Sequence, residues 1–244
     1  MKLGRKAVKH DSRTLKLAAY LTTATPPPPD KVDWTKNIGY WGMMNNDTLG
    51  CCTICGCAHA IQIWSANTNK EITVKDFDVV NMYEKWDGYN PSDPSTDCGG
   101  VELDVLNNWK SSEFVGHKLY AYTAVNLRNI DEVKTAINLF GGIYIGIALP
   151  LTAQNQDIWD LVPNTGSHAE PGSWGGHCVF VVGYDDKGFS CITWGEIKKM
   201  TPAFFGAYVD EAYALIGADW FTASGVDPQG LNLEQLQTDL AAIR

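Results

Sequence analysis

The stretch Asn46-Asp-Thr-Leu-Gly-Cys-Cys-Thr-Ile-Cys-Gly-Cys-Ala-His59 holds four of the chain's seven cysteines and opens its first helical pattern. Ile54, Ala58, Ile61 and Trp64 recur at spacings of three and four, which predicts a helix running from the cysteines to about residue 64. A cysteine at a helix start has a physical reason to be reactive. The unpaired N–H groups and the helix dipole stabilise the thiolate, which is the nucleophilic form. Two plainer readings compete. Small thiols on a helix often serve only as packing, and Cys52-x-x-Cys55 could be half of a zinc site. No second Cys-x-x-Cys or His-x(3–5)-His pair exists to complete such a site, so neither a metal nor another cofactor is expected.

Working outward, 75–86 reads as a second helix, and Leu103, Leu106 and Trp109 mark a third. Between them lies a turn-rich loop that ends in Asp97-Cys-Gly-Gly100. Later the pattern changes. Residues 118–125 alternate like a strand, 131–140 read as a helix, and the β-branched run from Gly141 to Leu149 reads as a buried strand. Further strands are expected at 177–184 and 189–193, joined by a hairpin turn, and at 209–216, with an amphipathic helix at 231–243. A helical half followed by a β half predicts an α+β fold of two packed lobes with a cleft between them. In Gly175-Gly-His-Cys178, His177 starts a β-half strand after a glycine pair, so nucleophile and base would meet from opposite lobes. His59, on the first helix, reads as a packed residue, and His10, His117 and His168 have no motif around them.

The chain has 244 residues, 45% of them hydrophobic, and a formal charge of −9. That is enough for one large or two small domains at roughly 100–200 residues each, and it excludes wholesale disorder. No apolar run approaches the roughly 20 residues that span a bilayer, and no secretory signal follows the basic start, so neither membrane insertion nor secretion is expected. Residues 1–16 carry six basic groups against one acid, leaving the remainder at −14. An acidic body repels nucleic acid. The arm 1–29 ends in Pro26-Pro-Pro-Pro29, a stiff extended spacer. Arm and C-terminal tail both look like elements that reach onto a neighbouring chain. An odd cysteine count rules out a fully paired disulfide framework and, with the missing signal, favours a reducing, cytoplasmic setting.

These residues resemble the papain-like cysteine peptidases. Val32-Asp33-Trp34 resembles the mature start of that family, and the same ungapped interval leads to Asn46, Gly50 and Cys52. Asp97-Cys-Gly-Gly100 resembles the loop that borders the substrate cleft. Gly176-His177-Cys-Val-Phe-Val-Val-Gly-Tyr184 resembles the strand with the catalytic histidine, and Thr193-Trp194-Gly195 the end of the Asn-Ser-Trp-Gly motif. The resemblance covers 30 to about 216. It implies a papain-like domain at 30–222, with a helical lobe at about 45–115, a β lobe at about 116–222 and a tail at 223–244. It also implies Cys52 as nucleophile, His177 as its acid–base partner, Asn46 as oxyanion donor, and Trp174, Trp194, Gly99 and Gly100 as cleft walls. Aligning Cys52-x-x-Cys55 with the family's Cys-x-x-Cys would make Cys55 the nucleophile instead, but that breaks the spacing from Trp34.

Four departures accompany the resemblance. Ile192 stands where the family has the asparagine that orients the histidine, which leaves Thr193 as the candidate orienter. Asn46 replaces a longer glutamine. Leu49 replaces a disulfide cysteine, so Cys98 lacks that partner. The arm is shorter than the family's pro-region and has none of its motifs. Three functions follow as alternatives: a thiol hydrolase of peptide or related acyl bonds, a scaffold that binds or assembles without hydrolysis, and a Cys-His acyltransferase or amidase.

Overall fold

The computed structural model describes residues 1–21, 25–163 and 166–242, the last four by backbone only. Its first half is built on α1 (Cys52–Thr68), α2 (Asp76–Asp87) and α3 (Glu102–Ser111), preceded by a two-residue strand, β1 (Val32–Asp33). The second half comprises β2 (Leu119–Ala124), α4 (Ile130–Leu139), β3 (Ile143–Leu149), β4 (Ile158–Trp159), β5 (Gly175–Asp185), β6 (Gly188–Thr193), β7 (Glu196–Met200), α5 (Pro202–Tyr208), β8 (Val209–Gly217) and α6 (Leu233–Ala242). The sheet order is β2-β8-β3-β5-β6-β7-β4, with β1 added to β5. All pairings are antiparallel except β4 with β7.

The two lobes have separate cores. One gathers α1, α2 and α3 around Ile54, Trp64, Tyr83 and Trp109, and the other packs β3, β5 and α5 around Ile145, Val181, Trp159 and Phe204. Helix α1 lies between them, and every residue from Cys52 to Ser65 is buried. That explains its composition. A helix covered on all sides needs small or apolar residues all round rather than on one stripe. Cysteine, glycine and alanine let the sheet approach closely, and a Cβ on Gly56 would lie 2.7 Å from the Tyr144 ring.

Three tryptophans tie the lobes together. Trp34, Trp220 and Trp64 donate their indole N–H groups to the carbonyls of Ile137 (2.9 Å), Leu139 (3.0 Å) and Phe140 (2.8 Å). These are the last carbonyls of α4, which have no partner within their own helix. Gly141 then turns the chain away at φ 70°, the left-handed conformation in which helices commonly end. The arm and tail contact their own body. Leu17 belongs to the β-lobe core, and Leu231, Leu233 and Leu236 pack against the helical-lobe core. Ile243, the last residue of the expected terminal helix, lies outside the described residues. Among the described residues no helix is long and apolar enough to cross a membrane.

β1, β4, β7 and α5 were not anticipated. β7 reads Glu-Ile-Lys-Lys-Met, with only Met200 buried, so it lacks an apolar alternation. α5 did carry a signal: Thr201 caps the Phe204 N–H at 3.1 Å, and Pro202 occupies the first turn, a recognised helix-start pairing. Within the arm, Leu17–Ala19 form a 3-10 turn.

His59 is packed, as its position on the helix implied, at 3% exposure. Burial pushes its pKa down to about 4, against a smaller opposing effect of a hydrogen bond with the Gly42 backbone. In the unfolded chain the group titrates near 6.5. Between those values the unfolded state binds a proton that the folded state does not, so stability falls as pH drops from 6.5 towards 4. The expected contribution is about 3 kcal/mol. Urea titrations at pH 7, 6, 5 and 4.5 should show a shallower decline for His59→Gln than for wild type. Parallel declines would contradict this assignment.

Candidate active site

Cys52 is the first residue of α1, and its N-cap, Cys51, makes no side-chain cap. No acidic residue sits in the first turn to oppose a thiolate there. The thiol is nevertheless fully buried, and burial pushes its pKa up to about 12. Hydrogen bonds to the sulfur from the backbone N–H groups of Cys178 and Gly4 oppose this without overcoming it. Cys55 points elsewhere. Its sulfur lies 3.6 Å from Cys51 Sγ and 3.7 Å from the Met44 carbonyl, inside the helical lobe.

His177 lies near the start of β5, paired with Ile147 of β3. Its Nε2 lies 2.6 Å from Thr193 Oγ1. Its ring stacks on Trp194 at a centroid separation of 4.3 Å and an interplanar angle of 13°. Trp194 adopts φ 48°, an uncommon conformation for a bulky side chain, and Gly195 follows at φ 76°. This tight β6–β7 turn sets the indole flat on the imidazole, while Trp174 backs Trp194 at 5.7 Å. Ile192 is buried in β6, and among the described residues the only side-chain polar contact to the imidazole comes one residue later, from Thr193. The other ring nitrogen, Nδ1, is buried without a hydrogen-bond partner among the described residues. Burial, with the Arg5 charge adding to it, lowers the pKa of His177 to about 3.

Asn46 follows a turn in which Met44 and Asn45 both have positive φ (55° and 58°). Its side chain donates to the Leu49 carbonyl at 3.1 Å, which engages one of the two amide hydrogens.

The N-terminal arm fills the groove among these residues. Lys2 N–H donates to the Asn46 carbonyl (3.3 Å), Arg5 N–H to Gly176 (3.0 Å) and Lys6 N–H to Gly100 (2.8 Å), while Gly100 N–H donates to Gly4 (2.8 Å). Trp194 Nε1 donates to the Lys2 carbonyl at 3.4 Å. The fit depends on absent side chains, since a Cβ on Gly4 would lie 1.8 Å from the Gly50 oxygen and one on Gly99 1.7 Å from the Gly4 oxygen. Asp97 anchors the arm and the groove edge together. It accepts from Lys2 Nζ (2.5 Å), Tyr83 Oη (2.7 Å) and Gly50 N–H (2.9 Å). Cys98 beside it is a free, exposed thiol.

Cys52, His177, Asn46, Trp194, Gly99 and Gly100 border this groove, whereas Cys55 does not, and one expectation needs correction. The helix N-terminus alone was expected to lower the thiol pKa. With the arm seated, loss of solvent outweighs that effect, and Cys52 and His177 are both neutral. Residues 2–6 of the arm lie within the groove. The signal for this was weak: a glycine amid basic residues, and glycine pairs on both groove walls.

No protein-family model matches the chain, and no curated protein matches it. Solved structures do. Xylellain, a cysteine protease from Xylella fastidiosa, superposes with a TM-score of 0.54 at 18% identity, covering 87% of this chain and 95% of that one. A procathepsin B of Trypanosoma congolense gives 0.60 at 8% identity, covering 88% and 86%. A cysteine protease of Carica candamarcensis in complex with E-64 gives 0.52 at 14%, covering 77% and 98%. The chain has the papain-like two-lobe α+β fold.

Proposed function

We propose that this chain is a papain-like thiol hydrolase of peptide or related acyl bonds, held latent by its own arm. The reading rests chiefly on His177. A buried imidazole is stacked on Trp194 and bonded at Nε2 to Thr193, while its Nδ1 is unpaired. The backbone of the neighbouring residue, Cys178, acts on the Cys52 thiol in the direction that favours the thiolate.

With the arm displaced, water and substrate replace it, and the thiol proton passes to His177 Nδ1. The Cys52 thiolate attacks the substrate carbonyl carbon. Asn46 Nδ2 and the Cys52 N–H at the helix start stabilise the oxyanion, each such donor being worth about 3–4 kcal/mol. His177 gives its proton to the leaving amine, which departs and leaves a thioester. His177 then takes a proton from water, whose oxygen attacks the thioester and releases the acid and the free thiol. If an amine took the place of water, the same groups would carry out acyl transfer.

Thr193 is a positioning residue in this scheme. Its hydroxyl accepts from the Nε2–H of imidazolium and so favours the charged form. Thr193→Val keeps the volume and loses that bond. In a chain whose arm has been displaced, kcat/KM should fall about 10–100-fold, the worth of a hydrogen bond to a charged group. The basic limb of the pH profile should move to lower pH, and Thr193→Ser should restore most of the rate. An unchanged limb would assign Thr193 a packing role only.

The full burial of Cys52 and His177 favours a second reading, a scaffold without turnover. Labelling with an epoxide such as E-64 at pH 6 separates the two. An ordinary thiol with a pKa near 8.5 is almost inert there, whereas an ion-paired Cys52 freed of the arm should react within minutes.

A further inference from the structure

A single side chain, that of Asp97, joins both walls of the groove. It follows a short 3-10 turn, Pro94–Thr96, whose start is capped by the Asp93 side chain at the Ser95 N–H. The turn delivers the Asp97 carboxylate inward, where the side chain is 4% exposed. Burial raises the pKa of such a group. Hydrogen bonds from Lys2, Tyr83 and the Gly50 N–H outweigh burial and hold Asp97 below the usual carboxylate range, so it is ionised.

Its two oxygens have different partners. Oδ2 accepts from Lys2 Nζ of the arm, whereas Oδ1 accepts from Tyr83 Oη at 2.7 Å and from the Gly50 N–H at 2.9 Å. The first bond leaves with the arm, and the other two belong to the body. Tyr83 Oη accepts in turn from the Gly99 N–H at 2.7 Å. Tyr83 is fully buried on α2 and stacked on Tyr89 at 5.1 Å, which holds its hydroxyl in place. A Cβ on Gly50 would lie 3.0 Å from Asp97 Oδ1, so bare backbone at residue 50 lets the carboxylate reach the N–H.

These bonds fix two things that chemistry at the thiol needs. Gly50 lies two residues ahead of Cys52, the first residue of α1, so restraining its N–H sets how the chain enters the helix and where the thiol sits. Gly99 and Gly100 form the facing edge, where Gly100 bonds the arm backbone at Gly4 and Lys6. No disulfide joins the two walls, since Cys98 and the four cysteines from 51 to 57 are all free. A displacement of about 1 Å between reacting groups can cost about 100-fold in rate, so a noncovalent tie at this place has leverage on reactivity.

We propose that Asp97 Oδ1 and Tyr83 Oη are positioning groups of this site, which hold the thiol-bearing start of α1 at a set distance from the Gly99–Gly100 edge. As a statement about turnover this rests on the hydrolase reading; as a statement about thiol reactivity it does not. Asparagine at 97 keeps an oxygen for Tyr83 and Gly50 and gives up the charge that faces Lys2. Alanine removes the tie itself.

The test uses the full chain carrying Gly4→Val, which dislodges the arm and its Lys2. The rate of E-64 modification of Cys52 at pH 6 is read by mass spectrometry, beside kcat and KM for a fluorogenic peptide amide. Asp97→Ala should slow modification about tenfold or more, and Asp97→Asn should restore it to within about threefold of the parent. Tyr83→Phe keeps the packed ring and loses the bond to Gly99. It should slow modification about three- to tenfold, and it carries the same test where Asp97→Ala does not fold. In turnover the Asp97→Ala loss should fall on kcat rather than KM. A parent unmodified at Cys52, Asp97→Ala or Tyr83→Phe modified as fast as the parent, or Asp97→Asn as slow as Asp97→Ala would overturn the positioning role. Turnover with a kcat indifferent to Asp97→Ala sinks that role and spares the hydrolase. Modification that depends on Asp97 as stated, without turnover, supports the role and sinks the hydrolase.

Discussion

Cys52→Ala should abolish both turnover and epoxide labelling in a chain whose arm has been displaced, lowering kcat/KM by about 10⁴-fold or more, as loss of a nucleophile does elsewhere. The reason is geometric. Cys52 is the first residue of α1, and the Gly4 backbone of the arm is among the groups that act on its thiol. Cys51 and Cys55 face each other and the Met44 carbonyl, and the Cys57 sulfur lies 3.4 Å from the Thr53 carbonyl within its own helix. Cys55→Ala should therefore keep the rate within a few-fold and cost mainly packing. If Cys55→Ala were dead and Cys52→Ala active, the nucleophile would be the other residue of the Cys-x-x-Cys pair.

Gly4→Val should do the reverse and raise the rate of labelling at pH 6 by about 10–100-fold over wild type. Four backbone hydrogen bonds hold the arm at Asn46, Gly100 and Gly176, with ion pairs from Lys2 to Asp97 and Lys9 to Asp104, both at 2.5 Å. The Lys9 pair is exposed and contributes little. Close backbone contact is what matters, and a side chain at residue 4 would collide with the Gly50 carbonyl. Because the arm is tethered, its effective concentration is of order mM, so weakening its fit should change the open population steeply. The thiol would then regain solvent, lifting the burial that suppresses its ionisation. If Gly4→Val were folded and labelled no faster than wild type, the arm would not control access to the cleft.

Much of this was legible in the sequence, for reasons that differ by element. α1 could be found because its apolar residues keep helical spacing even though the helix is buried on every side. β3 and β5 could be found because buried central strands are continuous apolar runs. β7 escaped because a strand with two lysines and a glutamate shows no apolar alternation. The proposed pairing of Cys52 with His177 rests on local motifs that lie 125 positions apart in the chain. Thr193, which adjoins Ile192, meets the ring at Nε2.

The three acids that meet Arg5 were invisible. Glu102, Asp210 and Glu211 come from α3 and β8, separated by about half the chain, and no local pattern marks them as neighbours. Nor could the destination of the arm be read. Its basic charge pointed to an acidic surface, but the fit depends on where Gly50, Gly99 and Gly176 expose bare backbone. That position is set by the packing of the two lobes.

The account turns on one cysteine at the bottom of a self-occupied cleft. The measurement closest to it is mass-spectrometric mapping of the thiol modified by E-64 at pH 6 in wild type and Gly4→Val. The expected result is slow modification of wild type and fast, single-site modification of Gly4→Val at Cys52. Modification confined to the exposed Cys98, or none at all in a folded Gly4→Val chain, would contradict it.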